Sequence, residues 1–200
     1  HQVPLGQITA LPKGLFPSLE RLALSFLCEP VDSDDWRIVF VDAFADAPSL
    51  RCVALQTSTF FIETSYTRRP IPIFFDIPRH QLTHFIKFDA GETQSAILVL
   101  YRYISETKNL QYLSLEVTNA DVGLRPSHGR MTDLRLEALE TMGLNFWPST
   151  TRSIWYPDLF EFVELPNLKR LRFEGERFDL DSEEWTNRDL AGRVIARLHS

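Results

Sequence analysis

His80-Gln81-Leu82-Thr83-His84 places two imidazoles four residues apart, the spacing by which one helix face can hold zinc. The glutamate such a motif needs as general base is missing, and Pro78 argues against a helix. Two surface histidines are the simpler reading. Asp32, Asp34 and Asp35 could surround calcium, but the loop glycine and closing glutamate of a calcium hand are not there. A helix N-cap explains them better. Asp179, Asp181, Glu183 and Glu184 form another acidic run, read as a solvated loop leading into a helix at Trp185. Cys28 and Cys52 are 24 apart with no other thiol, so neither a redox pair nor a zinc ribbon can be built. The eight glycines never group as a nucleophile elbow, phosphate loop or dinucleotide fingerprint requires. The expectation is a chain with no catalytic residue, no metal and no cofactor: a binding protein, not an enzyme.

The totals narrow the partners. Two hundred residues, 44% hydrophobic, allow a sizeable core in one domain. Net charge is −6, and the basic clusters are small (Arg68 and Arg69; Lys169, Arg170 and Arg172). Nucleic-acid binders concentrate basic residues on one face, so no nucleic acid is expected. The longest apolar run, Ala96 to Tyr101, is far too short to cross a bilayer, and no signal peptide is visible. No membrane is expected. Two cysteines and no Asn-x-Ser/Thr acceptor suggest a reducing compartment, cytoplasmic or nuclear. The chain begins without Met, which suggests a fragment of a longer protein.

Self-similarity is the main signal. Pro17-Ser18-Leu19-Glu20-Arg21-Leu22-Ala23-Leu24 recurs as Pro48-Ser49-Leu50-Arg51-Cys52-Val53-Ala54-Leu55 and as Pro166-Asn167-Leu168-Lys169-Arg170-Leu171-Arg172-Phe173. A fourth copy is Lys108-Asn109-Leu110-Gln111-Tyr112-Leu113-Ser114-Leu115, and a fifth reads Met131-Thr132-Asp133-Leu134-Arg135-Leu136. A sixth, Leu82-Thr83-His84-Phe85-Ile86-Lys87-Phe88, fits loosely, because Lys87 falls where an apolar residue belongs. The shared core is L-x-x-L-x-L. Apolar residues two apart point to one side of a strand, and the leading Leu tucks into the same interior from the preceding turn. One unit cannot cover that side alone; stacked units can.

From Leu19 to Leu50 is 31 residues, to Leu82 another 32, to Leu110 28, to Met131 21 and to Leu168 37. Such intervals leave room for helix or loop between strands. Trp36, Val39, Phe40, Ala43, Phe44 and Ala47 follow helical spacing behind Ser33, Asp34 and Asp35 as cap. Ile97, Leu100, Tyr101 and Ile104 make a second stripe, and Leu159, Phe160 and Val163 a short third. Thr57 to Gln81, with Pro70, Pro72 and Pro78, suits neither a helix nor a central strand. The expected fold is α/β: a single leucine-rich-repeat domain over 1–200, a solenoid with a parallel sheet on one face and helices or loops on the other. About six irregular repeats are expected, the first strand near 19–25, the last near 168–174, and a C-terminal helix over 185–198. The competing reading is a compact α/β domain with parallel strands.

Residues beside the inward leucines should form an outward ribbon able to bind a protein. The candidates are Arg21, Ser25, Gln56, His84, Tyr112, Ser114, Glu116, Asp133, Arg135, Arg170, Arg172 and Glu174. Arginine and tyrosine are enriched in binding hot spots. The early part of this ribbon is small and neutral, the later part dense in charge of both signs.

The phrases FPSLERLAL, FADAPSLRCVAL, IPRHQLTHF, TKNLQYLSL and LPNLKRLRF resemble the leucine-rich-repeat region of F-box proteins abundant in mushroom-forming fungi. The resemblance runs from about Leu15 to Phe173. It implies a substrate-holding region of a cullin-RING ubiquitin ligase, with the ligase adaptor as a partner only where an F-box lies upstream. A leucine-rich-repeat adaptor or scaffold unrelated to ubiquitination is the alternative. The family's tryptophan after Pro78 is Arg79 here, and the asparagine that follows each standard repeat is replaced by Leu27, Ser58, Thr118, Leu139 and Glu176.

Overall fold

The computed structural model describes residues 5–28, 30–32, 39–59, 68–70, 73–90, 103–117, 134–146 and 163–175. In chain order these hold α1 (Leu5–Thr9), β1 (Arg21–Cys28), β2 (Pro30–Asp32), β3 (Val39–Val41), β4 (Cys52–Thr59), β5 (Arg68–Pro70) and β6 (Ile73–Phe75). A 3-10 turn (Arg79–Gln81) leads into β7 (His84–Ala90). Then come β8 (Tyr112–Val117), β9 (Leu134–Arg135), β10 (Thr141–Phe146), β11 (Val163–Glu164) and β12 (Arg170–Gly175). The class is α/β with a mostly parallel sheet and little helix among the described residues.

Strands β1, β4, β7, β8, β10 and β12 lie side by side in the order in which they occur, every neighbouring pair parallel. Their register aligns Arg21, Cys52, His84, Tyr112, Thr141 and Arg170, the first residue of each strand. Two residues earlier stand Leu19, Leu50, Leu82, Leu110, Leu139 and Leu168. The fifth copy read from the sequence is thereby corrected. Its strand is Thr141–Phe146, not the segment after Met131, and its leading residue is Leu139. The last two intervals become 29 and 29 instead of 21 and 37.

A turn and a ladder explain this regularity. In five units the N–H of the leading Leu donates to the carbonyl three residues back: Leu19 to Phe16, Leu50 to Ala47, Leu82 to Arg79, Leu139 to Leu136 and Leu168 to Leu165. Pro17, Pro48 and Pro166 occupy the second position of these turns, where a fixed φ is an advantage and no N–H is needed. The residue before each strand then links neighbours. Each of the carbonyls of Glu20, Arg51, Thr83, Gln111 and Glu140 accepts two successive N–H groups of the next unit, at 2.8–3.1 Å. Side-chain amides add a second rung at the turns. Gln81 Nε2 donates to the Ala47 carbonyl at 2.7 Å, Asn109 Nδ2 to His80 at 3.3 Å and Asn167 Nδ2 to Glu137 at 2.7 Å.

The inward side is the core. Val53, Phe85, Leu113 and Met142 are buried in one row, Leu55, Leu115 and Leu144 in the next, above the leading Leu50, Leu82, Leu110 and Leu139. Burying each such side chain is worth roughly 1.5–3 kcal/mol. Lys87 occupies the row of Leu55 and Leu115 and is only 5% exposed, so the poor sixth copy still presents that side chain inward. The rest of the core comes from a second layer. There β3 pairs in parallel with β6, and β9 with β11, burying Val41, Ile73, Phe75 and Leu134. Phe26 of the main sheet stacks on Phe75 at 5.2 Å, and the Tyr103 ring stacks on Phe85 while its hydroxyl accepts the Phe75 N–H at 3.1 Å. Ile8 of α1 closes the first end.

This layer overturns the helix expected over 36–47. Val39–Val41 is a strand and 42–47 a run of turns, with Ala43, Phe44 and Ala47 buried from those turns. Val163, expected in a short helix, is in β11. Trp36, the stripe 97–101, Leu159 and Phe160, and the helix expected over 185–198 lie outside the described residues. In the proline-rich stretch, Pro70 ends β5, which pairs antiparallel with β2 away from the main sheet.

Candidate binding surface

Because side chains alternate along a strand, the residues between the inward rows face away from the core. The first outward row is Arg21, Cys52, His84, Tyr112, Thr141 and Arg170; the second is Ala23, Ala54, Ile86, Ser114, Gly143 and Arg172. Ser25 and Gln56 continue the face toward the strand C-termini, at the register of Glu116, Asn145 and Glu174. The register thus brings ten of the twelve expected residues onto one sheet. Arg135 is not among them. It lies in the two-residue strand β9, and its guanidinium reaches Glu137 at 3.1 Å and Glu164 at 2.9 Å. Asp133 lies outside the described residues. In their place the fifth strand contributes Thr141, Gly143 and Asn145. The signal for them was available as Leu139-x-x-Met142-x-Leu144, 29 residues after the fourth copy.

This substitution changes the character of the face. The later part is not dense in charge throughout, since the fifth strand adds only neutral residues. At the middle of the first row the His84 and Tyr112 rings stack at 5.8 Å, and His84 Nδ1 lies 2.9 Å from the Thr83 hydroxyl. His80 is in the 3-10 turn, so the pair is not on one helix face. Ser114, beside them, is only 5% exposed and its hydroxyl accepts from Asn145 Nδ2 at 3.4 Å. It shapes the surface more than it offers a free hydroxyl.

Cys28 and Cys52 sit at opposite ends of adjacent strands, seven register positions apart. At about 3.3 Å per residue this is roughly 23 Å, far beyond disulfide reach. Asp32 is in β2 at the register of Arg68, while Asp34, Asp35 and the run 179–184 lie outside the described residues. Among the described residues no three His, Cys, Asp or Glu side chains are grouped to hold a metal ion, and no helix is long and apolar enough to cross a membrane. Compared with family models, curated proteins and solved structures, the chain matches none of them.

Proposed function

We propose that this chain is a protein-binding leucine-rich-repeat domain of solenoid type, without catalytic activity of its own, whose partner lies on the outward face of the six-stranded sheet. The observation that carries this reading is the order and register of the strands. Six parallel strands in sequence order, each led by a Leu at intervals of 28–32, make one continuous face from a repeated unit. Such a face offers a broad surface for a folded or extended chain, with a stacked His84–Tyr112 pair at its middle. The role that fits the sequence resemblance is the substrate-recognition region of an F-box-type ubiquitin ligase. An adaptor without ubiquitin chemistry uses the same face and is the second reading.

The test is capture of a partner by the full-length protein, followed by affinity measurement for that partner. Tyr112→Ala and His84→Ala should each weaken it about tenfold or more. Phe40→Ala, in the second layer, should not. Equal losses from both sets would overturn the sheet-face reading. Co-purification of a cullin adaptor favours the ubiquitin role; a partner without it favours the adaptor role.

A further inference from the structure

We infer that the occupant of this face is an extended, carboxylate-bearing peptide segment, held by Arg21 on the first strand and Arg170 on the last; this rests on the sheet face being the binding surface. Charge is the first observation. The chain carries a net charge of −6, yet the two outward rows nearest the strand N-termini contain Arg21, Arg170 and Arg172 and no acid. At the register positions that alternate with the inward rows, the acids Glu116 and Glu174 come two positions beyond the second row, so the first row is where an anionic ligand is favoured.

The use made of the arginines is the second observation. Away from the face, Arg51 donates to the Pro48 and Leu50 carbonyls, Arg79 lies 3.9 Å from Glu106, and Arg135 is shared by Glu137 and Glu164. Arg21 and Arg170 are exposed and, among the described residues, have no acidic partner. A guanidinium is a planar fork of donors matched to a carboxylate, so these two are sites for an incoming anion.

Distance then selects the ligand class. The two arginines are five strand spacings apart, about 24 Å at roughly 4.8 Å each. No single small anion spans that. An extended peptide does so in about seven residues at roughly 3.3 Å each. Between the two ends the row holds no acid: Cys52, the stacked His84 and Tyr112, and Thr141, with Ala23 and Ala54 small enough beside it for a backbone to approach. A nucleic acid would meet the repulsion of the whole chain's negative charge along its entire length.

A random peptide display library selected on the immobilised full chain tests this, with the best peptide resynthesised alongside its Asp→Asn and Glu→Gln form. Enriched peptides should carry acids about six to eight residues apart, a span set by the strand spacing. Fluorescence anisotropy should then show an affinity that falls with salt and drops about tenfold in Arg21→Gln and in Arg170→Gln. Arg170→Lys should retain part of it and Arg135→Gln all of it; circular dichroism checks that each variant is folded. Absence of enrichment, equal binding of the amide form, unchanged binding by Arg170→Gln, or tighter binding of a single-stranded oligonucleotide overturns the proposal. Neutral peptides that lose affinity in Tyr112→Ala overturn the acidic ligand and leave the sheet-face reading standing. Peptides indifferent to every sheet-face variant overturn both.

Discussion

Ser114 and Gly143 are register partners on neighbouring strands, and the Ser114 hydroxyl oxygen lies 3.0 Å from where a Cβ on residue 143 would sit. The side chain of the fourth strand thus fills the space that the fifth leaves open. A glycine inside a strand costs about 0.5–1 kcal/mol relative to alanine, so its close contact with Ser114 is the reason it is tolerable here.

Gly143→Ala should therefore be nearly neutral, because Ser114 can turn aside while the strand backbone stiffens. Gly143→Val should cost about 1–3 kcal/mol through overpacking. Adding Ser114→Ala to Gly143→Val should recover part of that loss. Chemical denaturation of the four proteins gives the coupling energy, expected above about 0.5 kcal/mol; strict additivity would mean the two residues do not touch.

The corrected fifth unit predicts which side chains of 141–145 matter for stability. Met142→Ala and Leu144→Ala should each cost about 2–5 kcal/mol, as should Leu113→Ala, since all three are fully buried in equivalent rows. Thr141→Ala should stay within roughly 0.5 kcal/mol. Leu171→Ala should cost less than Leu113→Ala, because Leu171 is on the terminal strand and only half-buried. A Thr141 variant as damaging as the Met142 variant would put the strand phase out by one residue.

The amide rungs at the turns should be separable from the core. Asn167→Ala removes the bond to the Glu137 carbonyl and should lower stability by about 0.5–1.5 kcal/mol. Asn167→Asp should lower it further at neutral pH, since a carboxylate would then face that carbonyl without a donor. If aspartate and alanine are equally tolerated in thermal melts, the rung contributes nothing.

Lys13 should make stability depend on alkaline pH. Its ammonium lies 3.2 Å from Asp42, and the hydrogen bond to that carboxylate, then the charge of Asp42 itself, raise the lysine pKa above its ordinary 10.5; the charges of Asp46 and Asp76 add to this. The folded chain binds that proton more tightly than the unfolded chain. The contribution is therefore fully present below 10.5 and is lost as pH rises through the folded value. Asp42→Asn should bring the Lys13 titration, followed by NMR, back toward 10.5. An unchanged titration would deny the pairing.

Much of this architecture is legible in the residues alone. The alternation after Leu19, Leu50, Leu110 and Leu168 is enough to say which side chains face inward, because a strand has period two and the large apolar residues recur at every second position. Pro17, Pro48 and Pro166 mark where the turns fall. The sequence also located most of the outward face, since it follows from the same alternation. What it could not decide was the fifth unit. Leu134, Leu136, Leu139, Met142 and Leu144 are all apolar and all buried, so two frames satisfy the local pattern equally well. Only the neighbours choose between them: the Gln111 carbonyl takes the N–H groups of Glu140 and Thr141, which aligns Met142 with Leu113 and Leu171. The segment 36–47 shows the same limit. Its helical spacing is too short to exclude a strand followed by turns, and the pairing of Val39–Val41 with Ile73–Phe75 settles it for strand. Backbone hydrogen bonds between segments some thirty residues apart are tertiary facts, and they carried Arg135 off the outward face of the main sheet and put Thr141 and Asn145 on it.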